Sequence, residues 1–388
     1  MGDYLAKKDY PRLLAKLVRQ EPNRWREAVL LAGAKAAEMP FALWGLVEAL
    51  LAKPLPNENA LAGDWGALIA GQLIAESANL SDLSPADQAK LEEIRQRQAQ
   101  IMEQGKLPAV ERATAGRVLG LIGDPRKAVT TLDEMEFCLV PAGEFWLGDN
   151  PPLKYNLNYD YWIARFPVTV AQFHAYIKDS GNKPRYKDSL KDSSNCPVRL
   201  VSWYDAVKFC DWVTNIWQTK GLLRNGWMIR LPSEAEWEKA ARGGILIPEQ
   251  PVIAKLPLAS DSPVLRNNPL PQRKYPWGDE IDVDRANYNE TGIGDTSAVG
   301  CFHKGVSPYG VLELSGNVWE WTRSVYAKYP YDPNDGREDL NSKDVRVLRG
   351  GSWDVQAEYL RSSYRVRDYP DIRSNLIGFR LVFVARTL

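Results

Sequence analysis

Apolar residues follow two different rhythms along the chain. Up to about residue 130 they recur every three to four positions. Leu13, Leu14, Leu17 and Val18 share one helix face, and WREAVLLAGAKAAEM, FALWGLVEALLAK and DWGALIAGQLIAES continue the pattern between breaks of Pro, Asn and Gly. Ser84-Pro85-Ala86-Asp87 predicts an N-cap with proline in the first helical position and an acid in the third. The polar helix that it opens stops at Gly105. A further helix, AVERATAGRVLGLI, ends at the turn signal Gly123-Asp124-Pro125. Helices joined by short loops predict an all-α helical domain over residues 1–130, with a scaffold or interaction role. No sharp repeat period runs through it.

Beyond residue 130 the runs shorten and take strand character: FCLVPAGEFWLG, DYWIARFPVTV, VRLVSW, MIRLPS, VRVLRGGSW and IGFRLVFVA. Helical segments lie between them: VAQFHAYIK, WYDAVKFCDWV and SEAEWEKAARG, the last opened by a Ser233/Glu236 capping box. This is an α+β pattern. A Pro-rich insertion over about 245–274 has little periodicity and predicts an excursion across the surface.

Composition narrows the function classes. The 388 residues predict two domains, and 45% apolar with 25% charged residues is the balance of a globular protein. Lys and Arg number 49 and so do Asp and Glu, which predicts neither nucleic acid nor membrane as a partner. The opening MGDYLAKKDYPRLL has no apolar core of a signal peptide, and no run reaches the length of a membrane span, so a cytoplasmic setting is expected. Cys138, Cys196, Cys210 and Cys301 form no CxxC pair, which argues against zinc. They are expected as free thiols, with a Cys196–Cys210 bridge left open. His174 and His303 are the only histidines and are read as ordinary ones. Glu234, Glu236 and Glu238 are read as the charged first turn of a capped helix.

Eight stretches carry a family resemblance, in this order: FCLVPAGEFWLGD, FPVTVAQFHAYI, PVRLVSWYDAVKFCDWV, IRLPSEAEWEKAARGG, YPWGDE, RANYNETGIGDTSAVGCFHKGVSPYGVLELSGNVWEWT, RVLRGGSW and IGFRLV. Together they resemble the formylglycine-generating enzymes, or sulfatase-modifying factors. The resemblance implies a C-type-lectin-like domain over residues 131–388. More faintly, LPAVERATAGRVLGLIGDPR resembles the helical tail of larger bacterial signalling NTPases, which implies a signalling partner for the helical domain. The chain has no GxxxxGK[ST] phosphate loop of its own.

The chemistry of the family does not carry over. Its oxidase members hold copper with two cysteines just beyond the GGSW motif, because Cu(I) favours thiolates and a thiol can exchange with the substrate thiol. Those positions are Val355 and Leu360 here. A second branch makes sulfoxides on histidine betaines with iron held by three histidines, largely in a helical domain. Residues 1–130 contain no histidine. The resemblance also implies two structural calcium sites, one at Asn287, Tyr288 and Asp295 and one at Gly316, Val318 and Glu320. No cofactor is otherwise required.

The segment at about 353–377 interleaves two populations. Arg361, Arg365, Arg367 and Arg373, bracketed by Arg349 and Arg380, form a framework. Among them stand Asp354, Val355, Tyr359, Ser363, Tyr364, Val366, Asp368, Tyr369, Ile372, Ser374, Asn375 and Leu376, with neither helix nor strand period. This mixture suits neither a core nor a solvated loop. It resembles the variable region of proteins diversified by retroelements, in which an AAC codon is miscopied to NNC. Such codons supply every residue of the second set and neither Gln356 nor Glu358. The resemblance implies a non-catalytic variable protein that displays this set to a protein or other macromolecular ligand. Tyr, Ser, Asp and Asn form a binding palette, and the arginines are expected to hold the backbone by bonds to carbonyls and to acids such as Glu313 or Glu320. Trp353 is expected to anchor the core. A sensor module or an oxidase using other residues is the alternative.

Overall fold

The computed structural model describes residues 10–56, 58–181, 187–256 and 262–385. The N-terminal stretch considered above as a leader and the centre of the Pro-rich run lie outside these residues. The chain divides into two units before Arg126, so residues 126–130 belong to the second. There Val129 accepts from the Thr169 hydroxyl and Ala128 from the Gln172 amide.

The first unit contains α1 (Tyr10–Gln20), α2 (Pro22–Ala36), α3 (Pro40–Leu51), α4 (Ala62–Ser77), α5 (Pro85–Gln104) and α6 (Ala109–Ile122). Ser84 caps α5 by accepting from the Asp87 N–H, and Gly105 closes it in the left-handed region, as the punctuation predicts. Small residues let the helices approach. A Cβ on Gly33 would lie 2.6 Å from Leu73, and one on Gly66 would lie 2.4 Å from the Leu50 carbonyl. The buried Arg19 of α1 donates to the carbonyls of Ala49, Leu50 and Ala52, satisfying the C-terminal end of α3. Among the described residues no helix is long and apolar enough to cross a membrane.

The second unit is α+β. In chain order it holds α7 (Lys127–Thr130), β1 (Glu136–Val140), β2 (Gly143–Leu147), β3 (Leu153–Leu157), β4 (Tyr161–Ala164), α8 (Val170–Asp179), α9 (Trp203–Thr219), β5 (Trp227–Arg230), α10 (Glu234–Arg242), β6 (Leu246–Pro248), β7 (Ile253–Lys255), β8 (Leu265–Asn267), β9 (Trp319–Val325), β10 (Arg346–Arg349), β11 (Arg365–Asp368), β12 (Ile377–Phe379) and β13 (Val382–Ala385). A five-stranded sheet runs β5-β13-β4-β1-β7, a four-stranded sheet runs β11-β10-β9-β12, and β2-β3 and β6-β8 are two-stranded. The five-stranded sheet is antiparallel throughout, while β12 lies parallel to β9. Capping boxes at Thr169, Ser202 and Ser233 start α8, α9 and α10. Phe137, Trp203, Phe209, Trp321 and Phe379 lie at the centre of the main core.

Three local expectations change. VRLVSW is no strand: Leu200 takes a left-handed φ of 61°, and Ser202 is already the N-cap of α9. IGFRLVFVA is two strands rather than one, because the chain leaves the four-stranded sheet at Phe379 and enters the five-stranded sheet at Val382. The Pro-rich run is not only an excursion. Its β7 pairs with β1, with Phe137 opposite Ala254, and so completes one edge of the larger sheet.

Gly316 tests how tightly the loops pack. Its φ is +80°, and a Cβ there would sit 2.1 Å from the Asn287 carbonyl oxygen. Gly292 has a similar φ of +76° with nothing within 4 Å. Gly292→Ala is expected to cost about 1–2 kcal/mol from backbone conformation alone. Gly316→Ala, which must also move backbone, is expected to exceed about 3 kcal/mol. Denaturant midpoints of the two variants check the order.

Candidate functional site

The base of the segment 353–377 is a set of buried ion pairs around α10. Glu234, Glu236 and Glu238 are each fully buried. The capped and charged helix start is present, with Glu234 and Glu236 in its first turn; the burial of its carboxylates is explained by their partners. Helical spacing puts Glu234 and Glu238 on one face, towards the arginines of β10 and β11. Arg365 reaches Glu234 at 2.7 Å, and Arg349 pairs with Glu238. Glu236 turns back to receive Arg230 at both carboxylate oxygens, each at 2.7 Å, and the Ser233 N–H. A fourth pair joins Arg380 to Glu320 at 2.6 and 2.7 Å, where the Trp237 indole also donates at 2.7 Å. Glu320 is thus an arginine partner as expected. Glu313 is not: its carboxylate accepts from the Gly300 N–H and the Asn317 amide.

The backbone of the segment is held by groups outside the varied set. Arg349 donates to the carbonyls of Ser362, Ser363 and Tyr364 at 2.8–2.9 Å. The Ser315 hydroxyl donates to the Leu360 carbonyl, and the Lys274 carbonyl accepts from the Ser362 N–H. The N–H groups of Asn289, Trp203, Leu200 and Trp319 donate to the carbonyls of Val355, Pro370, Ser374 and Leu376. β11 pairs with β10 and forms an edge of its sheet. Arg361 reaches Asp149 at 2.7 Å, Arg373 reaches Asp205 at 2.8 Å, and Arg365 and Arg367 stack over Tyr326.

The varied side chains divide by exposure. Asp354, Tyr369, Ile372 and Asn375 are exposed; Tyr369 at 61% is the most open large apolar side chain of the segment. Asp368 and Ser374 are half-buried. Val355, Tyr359, Tyr364, Val366 and Leu376 are half-buried too, with part of each side chain packed on the main core. Tyr359 meets Tyr364 edge-on at 5.0 Å. Ser363 is not displayed: it is 6% exposed, and its hydroxyl donates to Asp149 at 2.8 Å. Trp353 is not a core anchor either. It is half-buried and lies outside the core clusters, whereas Trp203, Trp217, Trp237 and Trp321 are the fully buried indoles.

Val355 and Leu360 meet over Gly351, where a Cβ would lie 3.4 Å from Val355 and 2.4 Å from Leu360. The structure brings these two positions together as an aliphatic contact that can neither ligate copper nor exchange thiols. The four cysteines are free and buried. Burial pushes the thiols of Cys138 and Cys196 up to about 12 and that of Cys210 well above its usual value, which suppresses thiolate at neutral pH. His174 is exposed and His303 half-buried.

The residues of the two calcium sites serve other bonds. The side-chain amide of Asn287 donates to the Asp295 carbonyl at 2.9 Å, while its buried Oδ1 is unpaired. The Tyr288 carbonyl accepts from Thr291, and the Asp295 carboxylate is held by Arg199 at 2.7 Å. In the second set the Gly316 carbonyl accepts from the Val318 N–H, and Glu320 belongs to Arg380. Calcium takes six to eight oxygen ligands, and the carboxylates of both sets, Asp295 and Glu320, are here paired with arginines. Among the described residues no group of three or more His, Cys, Asp or Glu could hold a metal.

With this geometry in place, the comparisons with known proteins bear on the second unit. Residues 123–385 match the family described as sulfatase-modifying factor enzyme 1-like domain. The chain is 28% identical over 278 residues to serine/threonine-protein kinase pkn1 of Chlamydia pneumoniae, covering 63% of this chain and 37% of that one. It is 33% identical over 207 residues to inactive C-alpha-formylglycine-generating enzyme 2 of Bos taurus, covering 49% and 51%. It thus spans about a third to a half of the length of these relatives. A solved structure, Treponema denticola variable protein 1, superposes with a TM-score of 0.48 at 23% identity, covering 66% of this chain and 97% of that one.

The buried carboxylates predict two separate pH windows. Burial opposes ionisation of Glu236, but the Arg230 pair and the bonds from Ser233 and Tyr159 outweigh it and bring it down to about 2. Its stabilisation is present above the unfolded value near 4.5 and is lost as pH falls through about 2. Burial pushes Glu313 the other way, from 4.5 up to about 7. There the folded state holds the proton more tightly, so stability declines as pH rises from 4.5 to about 7. Glu313→Gln is expected to flatten the unfolding free energy across that upper window, and urea titrations at several pH values read it. Glu238→Gln removes the nearer counter-charge of buried Arg349, leaving Glu234 at 3.9 Å, and also the partner of Arg242 at 3.2 Å; it is expected to cost about 3 kcal/mol, read in the same titrations.

Proposed function

The chain belongs to the sulfatase-modifying factor enzyme 1-like family, and we propose that this member binds a macromolecular ligand, without catalysis, through a diversified surface at residues 353–377. One observation carries the reading. The backbone of the segment is fixed by Arg349, Ser315 and backbone groups outside the varied set, so the exposed side chains can change without loss of the scaffold.

Chemistry supports the same reading. The two positions expected to be cysteines in an oxidase form an apolar contact, and Cys138, Cys196 and Cys210 are disfavoured as thiolates. Tyr369, Ile372, Asp354 and Asn375 give an exposed mixture of aromatic, aliphatic and polar groups suited to contact with a protein. In this proposal the varied positions are written by a diversity-generating retroelement, no metal is needed, and the helical unit holds a signalling partner. Free buried cysteines suit a reducing compartment, which supports a cytoplasmic setting.

The gene itself offers the decisive test. A reverse transcriptase gene and a near-copy of the 3′ coding end, differing at template adenines, are expected beside it. Their absence overturns the claim of diversification. Replacing Asp354, Tyr369, Ile372 and Asn375 together by alanine is expected to shift Tm by only a few degrees, about 2 kcal/mol or less in total. Leu360→Ala, at a fully buried side chain, is expected to cost about 2–5 kcal/mol. Oxygen uptake or aldehyde formation on a cysteine-containing sulfatase peptide, with copper or iron supplied, would overturn the non-catalytic reading.

A further inference from the structure

Beside the varied segment lies an open depression of about 660 Å³ whose walls are not varied. Trp277, Asp279, Glu280, Asp282, Arg285 and Tyr288 line it. It adjoins the segment through a small core: Tyr275, Ala286 and Tyr288 pack with Leu360, and Trp277, Val355 and Ala357 lean on that cluster. The depression and the segment are thus built on one packed cluster.

Its aromatic side is rigid. Trp277 stacks on Tyr275, with ring centroids 5.3 Å apart and planes 9° from parallel, and the indole N–H donates to the Glu280 carbonyl at 2.8 Å. Tyr288 is only 3% exposed, and none of the described residues makes a hydrogen bond with its hydroxyl. Its hydroxyl is not among the buried polar atoms left without a partner, so it opens on the depression, where a ligand can take the place of water.

Its charge is acidic. Three carboxylates line the depression against the one guanidinium of Arg285, which is occupied by Asp282 at 3.0 Å and the Lys304 carbonyl at 3.2 Å. Asp279 accepts from the Lys274 N–H, and Asp282 also from the Asp284 N–H. Glu280 is exposed, and its carboxylate makes no hydrogen bond or ion pair with the described residues.

We propose that this depression is a fixed subsite for a guanidinium side chain of the protein ligand. A planar cation can stack on Trp277, pair with Glu280 and donate to the Tyr288 hydroxyl, three demands that a lysine ammonium meets less well. The inference rests on the binding reading above for the source of that side chain. The subsite would anchor every ligand alike, while the varied residues select among them.

The test uses the full chain with ¹⁵N-labelled tryptophan, the Trp277 indole resonance being identified by its loss in Trp277→Phe. Acetyl-arginine methylamide is expected to shift that resonance saturably, in the millimolar range. The neutral isostere acetyl-citrulline methylamide is expected to bind at least about tenfold more weakly, a difference of about 1.4 kcal/mol. Glu280→Gln, an exposed change that folding tolerates, is expected to weaken the arginine probe to a similar extent, and Tyr369→Ala to leave it unchanged. Equal binding of the two probes, no saturation at tens of millimolar, or indifference to Glu280→Gln overturns the subsite. Because the probe does not touch the varied surface, the subsite can fail while the retroelement genes are found, and it can stand while they are not.

Discussion

The pairing of buried guanidinium groups with buried carboxylates is the constraint that the second unit depends on. Its strands are short and its loops long, so hydrogen-bonded ladders alone do not fix the chain. Arg349, Arg380, Glu234, Glu236, Glu238 and Glu320 are all essentially without solvent. Removing such groups from water costs several kcal/mol per ion, and only close, multiple contacts offset it. The contacts are multiple: Arg380 ties Glu320 to the carbonyls of Ala164, Leu312 and Glu313, where the chain passes between the two sheets. Arg349 ties α10 to the backbone of the segment 353–377.

Local signals in the chain were legible and distant ones were not. The cap at Ser84, the stop at Gly105 and the capping box at Ser233 follow from bonds within a few residues, and all are present. The run IGFRLVFVA hid its break because the cause is the burial of Arg380 against Glu320, sixty positions away. The role of Glu238 was illegible for the same reason: its partner Arg349 lies 111 residues further on.

The candidate site divides along the same line. The interleaving of arginines with a mixed set is visible in the one-dimensional pattern, and so is the loss of both thiols at Val355 and Leu360. Which members of the mixed set face outward is not visible. Ser363 is drawn inward by Asp149, 214 residues away, and Val355, Tyr359, Tyr364, Val366 and Leu376 spend part of their surface on the core. The aromatic depression is lined by one stretch, from Trp277 to Tyr288, yet YPWGDE and ANY gave no sign that this stretch curves into a depression.

The grip of Arg349 on three successive carbonyls has an evolutionary consequence. A carbonyl oxygen is the same in every residue type, so this clamp is blind to the letter written at positions 362–364. The scaffold holds this segment by groups that substitution does not alter. Amide hydrogens are the exception, since proline lacks one: the Ser362 N–H serves the Lys274 carbonyl and the Tyr364 N–H serves the Arg361 carbonyl. The imino acid is therefore the one letter that the backbone can read at those two places. At its exposed positions, such as Asp354, Tyr369, Ile372 and Asn375, a segment held in this way tolerates substitution that a strand fixed by its side chains would not.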